Sequence, residues 1–390
     1  MREAMIPTFT FNTTASIQFG PGILSCLGDL ARMRMGGRVM VVTDPGLVAT
    51  GIVARVEQIL GEASVDFVIF TEVEADPPEA VILKAVAAAQ SAGAMGVIGV
   101  GGGSSLDVAK LVALLAVGKE ELKDVYGVGN AKGPRLPLIL IPTTSGTGSE
   151  VTPISIVTTG AAEKMGVVSP ILIPDLALLD PELTYGLPPH VTAATGIDAM
   201  VHAIEAYASA SANNNPVSRI LALEALRLMG RSVLTAVNDG RNAAARGDML
   251  LGSMLAGQAF ANSPVAAVHA LAYPLGGHFH IPHGLSNALV LPHVLRFNCA
   301  TAPEAYAEMA PYAFPDLARF QGQERAAAFC DALADLSRDC GLPLGLKAMN
   351  IPRDWLPRLA KDAMNQTRLL VNNPRTVTEA DALAIYSAAY

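Results

Sequence analysis

The chain has 390 residues, of which 51% are apolar and 16% charged, so it is long enough for two domains, each with its own core. Acidic residues outnumber basic ones by 35 to 27, the net charge is −8, and no Lys/Arg-rich patch stands out. That balance argues against nucleic acid or an anionic membrane as a partner.

At the N-terminus, MREAMIPTFTFNTTASIQFG has no continuous apolar run after its early Arg and does not read as a secretion signal, so the cytoplasm is the default location. From Gly37 to about Pro181, apolar β-branched runs alternate with Ala-rich stretches. Strands are expected at 38–43, 65–70, 96–100 and 138–141, and helices at 48–60, 78–92 and 104–116. Such alternation predicts a doubly wound α/β domain on a parallel sheet, which binds ligands at the carboxyl ends of its strands.

Three segments of this half carry candidate chemistry. Asp44 closes the first of these strands in VVTDPG; an acidic strand end accepts hydrogen bonds from an adenosine ribose and repels a 2′-phosphate, favouring NAD over NADP. An Asp-Pro-Gly turn explains the same residue equally well. Gly101, Gly102 and Gly103 lie between a strand and a helix in VIGVGGGSSLDVAK, where bare backbone and a helix N-terminus suit a phosphate. A plain strand-to-helix turn accounts for one such glycine but not for three. The segment PTTSGTGSEVT, residues 142–152, is rich in hydroxyls and can wrap a nucleotide, although in isolation a Ser/Thr-rich turn explains it better. The window 97–117 is the most hydrophobic, but its glycines, Asp107 and Lys110 argue against a membrane span.

After Leu187 the texture becomes helical, with helices expected at 193–208, 217–237, 246–261 and 323–339 and no strand. The division is therefore 1–186 for the α/β domain and 187–390 for an all-α domain. Asp198 and His202, four apart in GIDAMVHAIEA, share one helix face. His269 and His283 sit in HALAYPLGGHFHIPHG, brought back by a Pro/Gly-rich turn. A carboxylate and three imidazoles suit zinc or ferrous iron. Spacing alone favours a simple polar pair for Asp198 and His202, and His190, His278, His280 and His293 show that histidine is not reserved for metal. Cys26, Cys299, Cys330 and Cys340 lack a C-x-x-C spacing and read as free, buried thiols of a reducing compartment.

Taken in order, GGGSSLDVAK, PTTSGTGSEVT, Lys164 ahead of SPILIPDLALLDPEL, TAATGIDAMVHAIEAY and HALAYPLGGHFHIPHG resemble the iron-containing (group III) alcohol dehydrogenase family over essentially the whole chain. The resemblance implies a dinucleotide-binding N-terminal domain, a helical metal-binding C-terminal domain, and reversible oxidation of an alcohol to an aldehyde or ketone. It implies metal ligation by Asp198, His202, His269 and His283, with Fe(II) favoured and Zn(II) compatible. At the cofactor it implies Asp44, Asp76, Gly102, Gly103, Ser104, Thr143, Thr144, Thr147, Thr152 and Lys164. A homodimer or higher homo-oligomer is implied too, with the segment 11–18 available for pairing between subunits.

Two positions depart from the family pattern. Ser145 stands where Ala is commoner, a change expected to be tolerated in a polar loop. Tyr273, four residues after His269, replaces a histidine found in several alcohol-oxidising members, so His278 and His280 become candidates for its role. Between Asn242 and Leu295 the only basic residue apart from histidine is Arg246, so no cationic clamp is expected for a phosphate or dicarboxylate, and a small uncharged alcohol or aldehyde is favoured. Alternatives are a zinc glycerol-dehydrogenase-like enzyme, a dehydroquinate-synthase-like lyase, and a non-catalytic NAD- or metal-binding protein.

Overall fold

The computed structural model describes residues 8–160 and 163–390; most of the stretch read for a secretion signal lies within this range, and its first seven residues lie outside it. Among the described residues nine strands are formed: Ile17–Phe19 (β1), Val39–Val42 (β2), Phe67–Phe70 (β3), Gly96–Gly101 (β4), Gly127–Val128 (β5), Leu138–Pro142 (β6), Ile154–Thr159 (β7), Glu163–Val168 (β8) and Leu176–Leu179 (β9). Six of them make one parallel sheet in the order β1-β9-β6-β4-β2-β3. Every residue of β2, β4, β6 and β9 is buried, which is why these runs are continuously apolar rather than alternating.

Helices Leu27–Met35 (α1), Pro45–Ala49 (α2), Ile52–Glu62 (α3), Glu79–Ser91 (α4) and Gly103–Leu115 (α5) flank this sheet, and a short helix, Leu122–Val125 (α6), follows them. Alternate strand residues divide between two cores. Met40, Val42, Leu138 and Leu140 pack with α4 and α5, whereas Val39, Val41, Ile139 and Ile141 pack with α1 and α3. Helices thus cover both faces, as a doubly wound sheet requires.

Several expectations need correction. The helix expected at 48–60 is two helices, because Gly51 adopts φ +83 and ends α2 before α3 begins. A second, three-stranded sheet, β5-β8-β7, contains an antiparallel pair that the sequence did not announce. Its strand β8 reads EKMGVV and alternates exposed and half-buried positions at its start, so no apolar run marks it. Ile17 and Gln18, in the segment read as available for pairing between subunits, pair on one side with Ala177 and Leu178 of the same chain, which makes β1 an edge strand. Cys26 is exposed rather than buried, while the other three cysteines are buried and all four are free.

The second half is helical: Pro189–Ala208 (α7), Pro216–Asn238 (α8), Ala243–Asn262 (α9), Ala267–Phe279 (α10), His283–Cys299 (α11), Pro303–Ala313 (α12), Gly322–Asp339 (α13), Leu356–Ala363 (α14), Thr367–Leu370 (α15) and Glu379–Ala388 (α16). Among the described residues no strand follows β9, and no helix is long and apolar enough to cross a membrane. The chain divides into two compact units. One comprises Thr13–Leu187 with Gly240–Leu250; the other comprises the N-terminal segment ending at Asn12, Pro188–Asp239 and Leu251–Tyr390. Each is therefore assembled from discontinuous stretches, unlike a single division at residue 187. Within the helical unit α7 is buried nearly all round, with 14 of its 20 residues enclosed, and it packs against α8 and α11.

Candidate metal centre and cofactor loops

Three helices each present a pair of side chains four residues apart toward one point: Asp198 and His202 on α7, His269 and Tyr273 on α10, His283 and Asn287 on α11. Contrary to the expected Pro/Gly-rich turn, Pro274, Gly276 and Gly277 lie inside α10, and only residues 280–282 connect it to α11. His280 caps α10 in the left-handed region at φ 52, which makes the sharp reversal. Gly284 sets the approach of α11 to α7. A Cβ there would lie 2.4 Å from the carbonyl oxygen of Ala194 and 3.2 Å from Cβ of Asp198, so only glycine lets His283 come this close to Asp198.

One ligand atom from each of Asp198, His202, His269 and His283 lies within 4.8 Å of the others. Nε2 of His269 and of His283 stand 3.9 and 3.8 Å from Oδ1 of Asp198. Bonds of about 2.1 Å to one ion place neighbouring ligand atoms roughly 3.0–3.4 Å apart, so a small contraction brings this set within reach of a common cation. Three imidazoles with one carboxylate suit a transition metal and not calcium or magnesium, which take oxygen ligands. The amide Nδ2 of Asn287 donates to Asp198 Oδ1 at 2.6 Å and lies 3.3 Å from Nε2 of both His269 and His283, while its Oδ1 is buried without a partner. That side chain directs its donor at the lone pairs of the cluster, which converge on one point. The donor set of three imidazoles and one carboxylate fits a cation there.

Burial alone would raise the carboxyl of Asp198, but His202, His283, His269 and the Asn287 amide outweigh it and hold the group below the usual carboxylate range. His202 stacks on Phe260 with ring centres 4.4 Å apart. Asp198, His202 and His269 are buried, whereas the His283 side chain is 37% exposed. Tyr273 lies beside that accessible ligand, its ring centre 5.9 Å from that of His283. The exposure of His283 leaves one edge of the cluster open to a small molecule. The alternative candidates are engaged elsewhere: His278 Nε2 pairs with Asp362 at 2.7 Å against Trp355, and His280 is the exposed helix cap.

Sequence reasoning missed Glu205. Its Oε2 accepts from Nδ1 of His269 at 2.7 Å and its Oε1 from the Val268 amide at 2.7 Å, in a side chain only 5% exposed. The signal was present: Glu205 is seven residues after Asp198 on the same helix face.

In the α/β unit Asp44, Gly102, Gly103, Ser104, Thr143, Thr144 and Thr147 follow the carboxyl ends of β2, β4 and β6, whereas Asp76 comes after β3 and Lys164 lies within β8. Gly102 caps α5, and a Cβ on Gly103 would meet Thr147 Cγ2 at 2.7 Å, so the glycine turn and threonine loop are in direct contact. The Thr143 amide donates to the Gly101 carbonyl at 3.0 Å, and Gly102 lies next to Thr144. Asp44 caps α2 by accepting from the Leu47 amide at 2.9 Å and also accepts from Ser105 Oγ at 3.1 Å. The turn-forming role of Asp44 is thus realised, with lone pairs remaining for a ribose. Asp76 pairs with Lys164 at 2.8 Å, and its amide donates to Ser104 Oγ at 3.3 Å. Thr152 stands apart from this rim: it is 2% exposed, and its hydroxyl accepts from Lys110 Nζ at 3.1 Å. Ser145 is 5% exposed with its Oγ unpaired, so its surroundings do not provide the polar partner expected of this loop.

Residues 14–181 match the family model of iron-containing alcohol dehydrogenase, and residues 192–390 match the C-terminal part of the Fe-containing alcohol dehydrogenase family. The long-chain-alcohol dehydrogenase 1 of Geobacillus thermodenitrificans (strain NG80-2) is 44% identical over 362 residues, 92% of this chain and 91% of that protein. A crystal structure of 1,3-propanediol oxidoreductase superimposes with a TM-score of 0.94 at 34% identity, covering 98% of this chain and 100% of that one. Sulfoacetaldehyde reductase from Bifidobacterium kashiwanohense in complex with NAD+ superimposes with a TM-score of 0.86 at 30% identity, covering 99% of each chain. The chain belongs to the iron-containing alcohol dehydrogenase family, and it is a metal-containing oxidoreductase.

Proposed function

We propose that this enzyme interconverts a small uncharged alcohol and its aldehyde or ketone using NAD. In this reading Asp198, His202, His269 and His283 hold a divalent metal, iron(II) in preference to zinc(II). The observation that carries the proposal is the convergence of those four side chains, three buried and one accessible, backed by Glu205 and Asn287. When bound, the metal supplies a Lewis acid for the substrate oxygen and the nicotinamide supplies the hydride acceptor or donor. Glu205 fixes Nδ1–H of His269 as a donor and so leaves Nε2 as the lone-pair atom facing the cluster. Tyr273 lies beside His283, at the edge a substrate would contact.

Asp44 and the rim of Gly102, Gly103, Ser104, Thr143, Thr144 and Thr147 are assigned to the cofactor, with backbone amides at the start of α5 facing its phosphates. Asp76 and Lys164 belong with this rim through their contact. Thr152 supports the loop from beneath. Preference for NAD rests on Asp44, whose charge repels a 2′-phosphate.

The uncharged substrate is supported by the fate of Arg246, the one Lys or Arg between 242 and 295. It is 1% exposed and donates to the carbonyls of Gly240 at 2.9 Å and Leu187 at 3.4 Å, so its guanidinium is engaged within the protein. Anaerobic purification, elemental analysis and NADH formation at 340 nm across short primary and secondary alcohols and diols test the proposal, with a long-chain alcohol and the reduction of a sulfonated aldehyde as contrasting arms. Iron near one equivalent and turnover of the short alcohols are expected. Full turnover by metal-free Asp198→Ala would overturn the metal assignment, and preference for the sulfonated aldehyde would overturn the substrate class.

A further inference from the structure

Beneath the glycine turn lies a charged network that the proposed reaction does not itself use. Lys110, on α5 and fully buried, donates Nζ to Ser149 Oγ at 2.8 Å, Thr152 Oγ1 at 3.1 Å and the Ile154 carbonyl at 2.7 Å. Asp107, one turn earlier, accepts from Ser149 Oγ at 2.6 Å and from the Ile156 amide at 2.9 Å, and its carboxylate lies 3.6 Å from Lys110 Nζ. Ser149 therefore receives from the lysine and donates to the aspartate. Val108, Ala109, Leu111 and Val112, beside the pair on α5, are all buried and apolar. A buried ion pair is by itself weak evidence for stability, whereas the bonds to Ser149, Thr152, Ile154 and Ile156 tie α5 to the chain that leaves the threonine loop.

α5 begins at the glycine turn, and residues 149–156 leave the threonine loop, so this network fixes one to the other. We infer that Lys110 and Asp107 are positioning residues that hold the Gly101–Ser104 turn and the Thr143–Thr152 loop at the separation a dinucleotide diphosphate needs. The inference rests on the assignment of these loops to NAD. Gly103 and Thr147 already touch, so a shift of α5 along its axis would close or open the cradle directly. Burial pushes the Asp107 carboxyl up and the Lys110 ammonium down, and the charge of each partner offsets only part of the other's shift.

The test measures binding of NADH, ADP-ribose and adenosine by fluorescence titration and competition. The proteins are the metal-loaded wild type, Ser149→Ala, and the double variant Asp107→Asn/Lys110→Met, which removes both members of the pair together. At least a fivefold rise in Kd for NADH and ADP-ribose is expected in Ser149→Ala and more in the double variant, with adenosine affinity and metal content unchanged. Unchanged Kd values in both variants would overturn the inference. So would an equal loss for adenosine with a fall in Tm, which marks a role in folding only. A wild type that binds no NADH, or a Gly103→Val variant that binds it normally, would remove the dinucleotide assignment itself, and this inference with it.

Discussion

Glu205 holds His269 from behind: its carboxylate oxygen lies 2.7 Å from Nδ1, on the side of the ring facing away from the cluster. A carboxylate in this position fixes the tautomer and raises the basicity of the far nitrogen. Glu205→Gln keeps the shape, but its amide can offer a donor to Nδ1 and turn the proton to the wrong nitrogen. Metal affinity, measured by competition with a coloured chelator, is expected to fall roughly ten- to a hundredfold. An unchanged affinity would show that Glu205 serves only the Val268 amide.

The doubly wound sheet was legible because β2, β4 and β6 are buried on both faces and therefore read as unbroken apolar runs. β7 and β8 were not, since one side of that pair meets solvent and Lys164 and Thr158 on it serve polar contacts. The Asp198/His202 pair was visible from helix spacing. Glu205 and Asn287 obey the same periodicity, yet a Glu on a long helix and an Asn after a histidine carry no chemical signature until a second helix supplies the partner. The closeness of α7 and α11 depends on Gly284, and no local pattern distinguishes that glycine from a turn glycine.

Asp44 has two duties that a substitution separates. As the cap of α2 it accepts from the Leu47 amide, so Asp44→Gly should cost only a few tenths of a kcal/mol, because glycine is itself tolerated at an N-cap. As the acidic strand end it should discriminate against a 2′-phosphate, so the same variant is expected to raise kcat/KM with NADP relative to NAD by tenfold or more. A cofactor ratio equal to that of the wild type would leave Asp44 with the cap alone.

Glu150 gives stability a defined pH dependence. It is 2% exposed with Oε1 unpaired, and burial pushes its carboxyl from 4.5 up to about 7, against smaller pulls from a backbone amide and Lys110. A raised carboxyl binds its proton more tightly folded than unfolded, so its contribution is complete below pH 4.5 and is lost as the pH rises through about 7. The full effect is on the order of 3 kcal/mol. His293 works oppositely in an overlapping window, since burial and Arg296 lower it to about 4 and its contribution is lost as the pH falls from 6.5. The informative quantity is therefore the denaturation free energy of wild type minus that of Glu150→Gln, in which His293 cancels. That difference should decline from pH 5 to pH 8, and a flat difference would contradict the buried, protonated state.

Gly284 ties stability to the metal site in one backbone position. The methyl of Gly284→Ala would sit 2.4 Å from the Ala194 carbonyl oxygen, a distance that helix backbone on both sides cannot relieve by a rotamer change. α11 must move outward, at a cost of about 1–3 kcal/mol by the usual measure of overpacking. Because His283 and Asn287 ride on the same helix, the shift lengthens the 3.8 Å separation of His283 Nε2 from Asp198 Oδ1 and pulls Asn287 from its 2.6 Å contact with Asp198. Denaturant unfolding and chelator competition should therefore change together, with metal affinity falling even though all four candidate ligands are intact. Loss of stability with unchanged metal affinity would mean that α10 and α11 move as one body and that the α7–α11 spacing does not set the site.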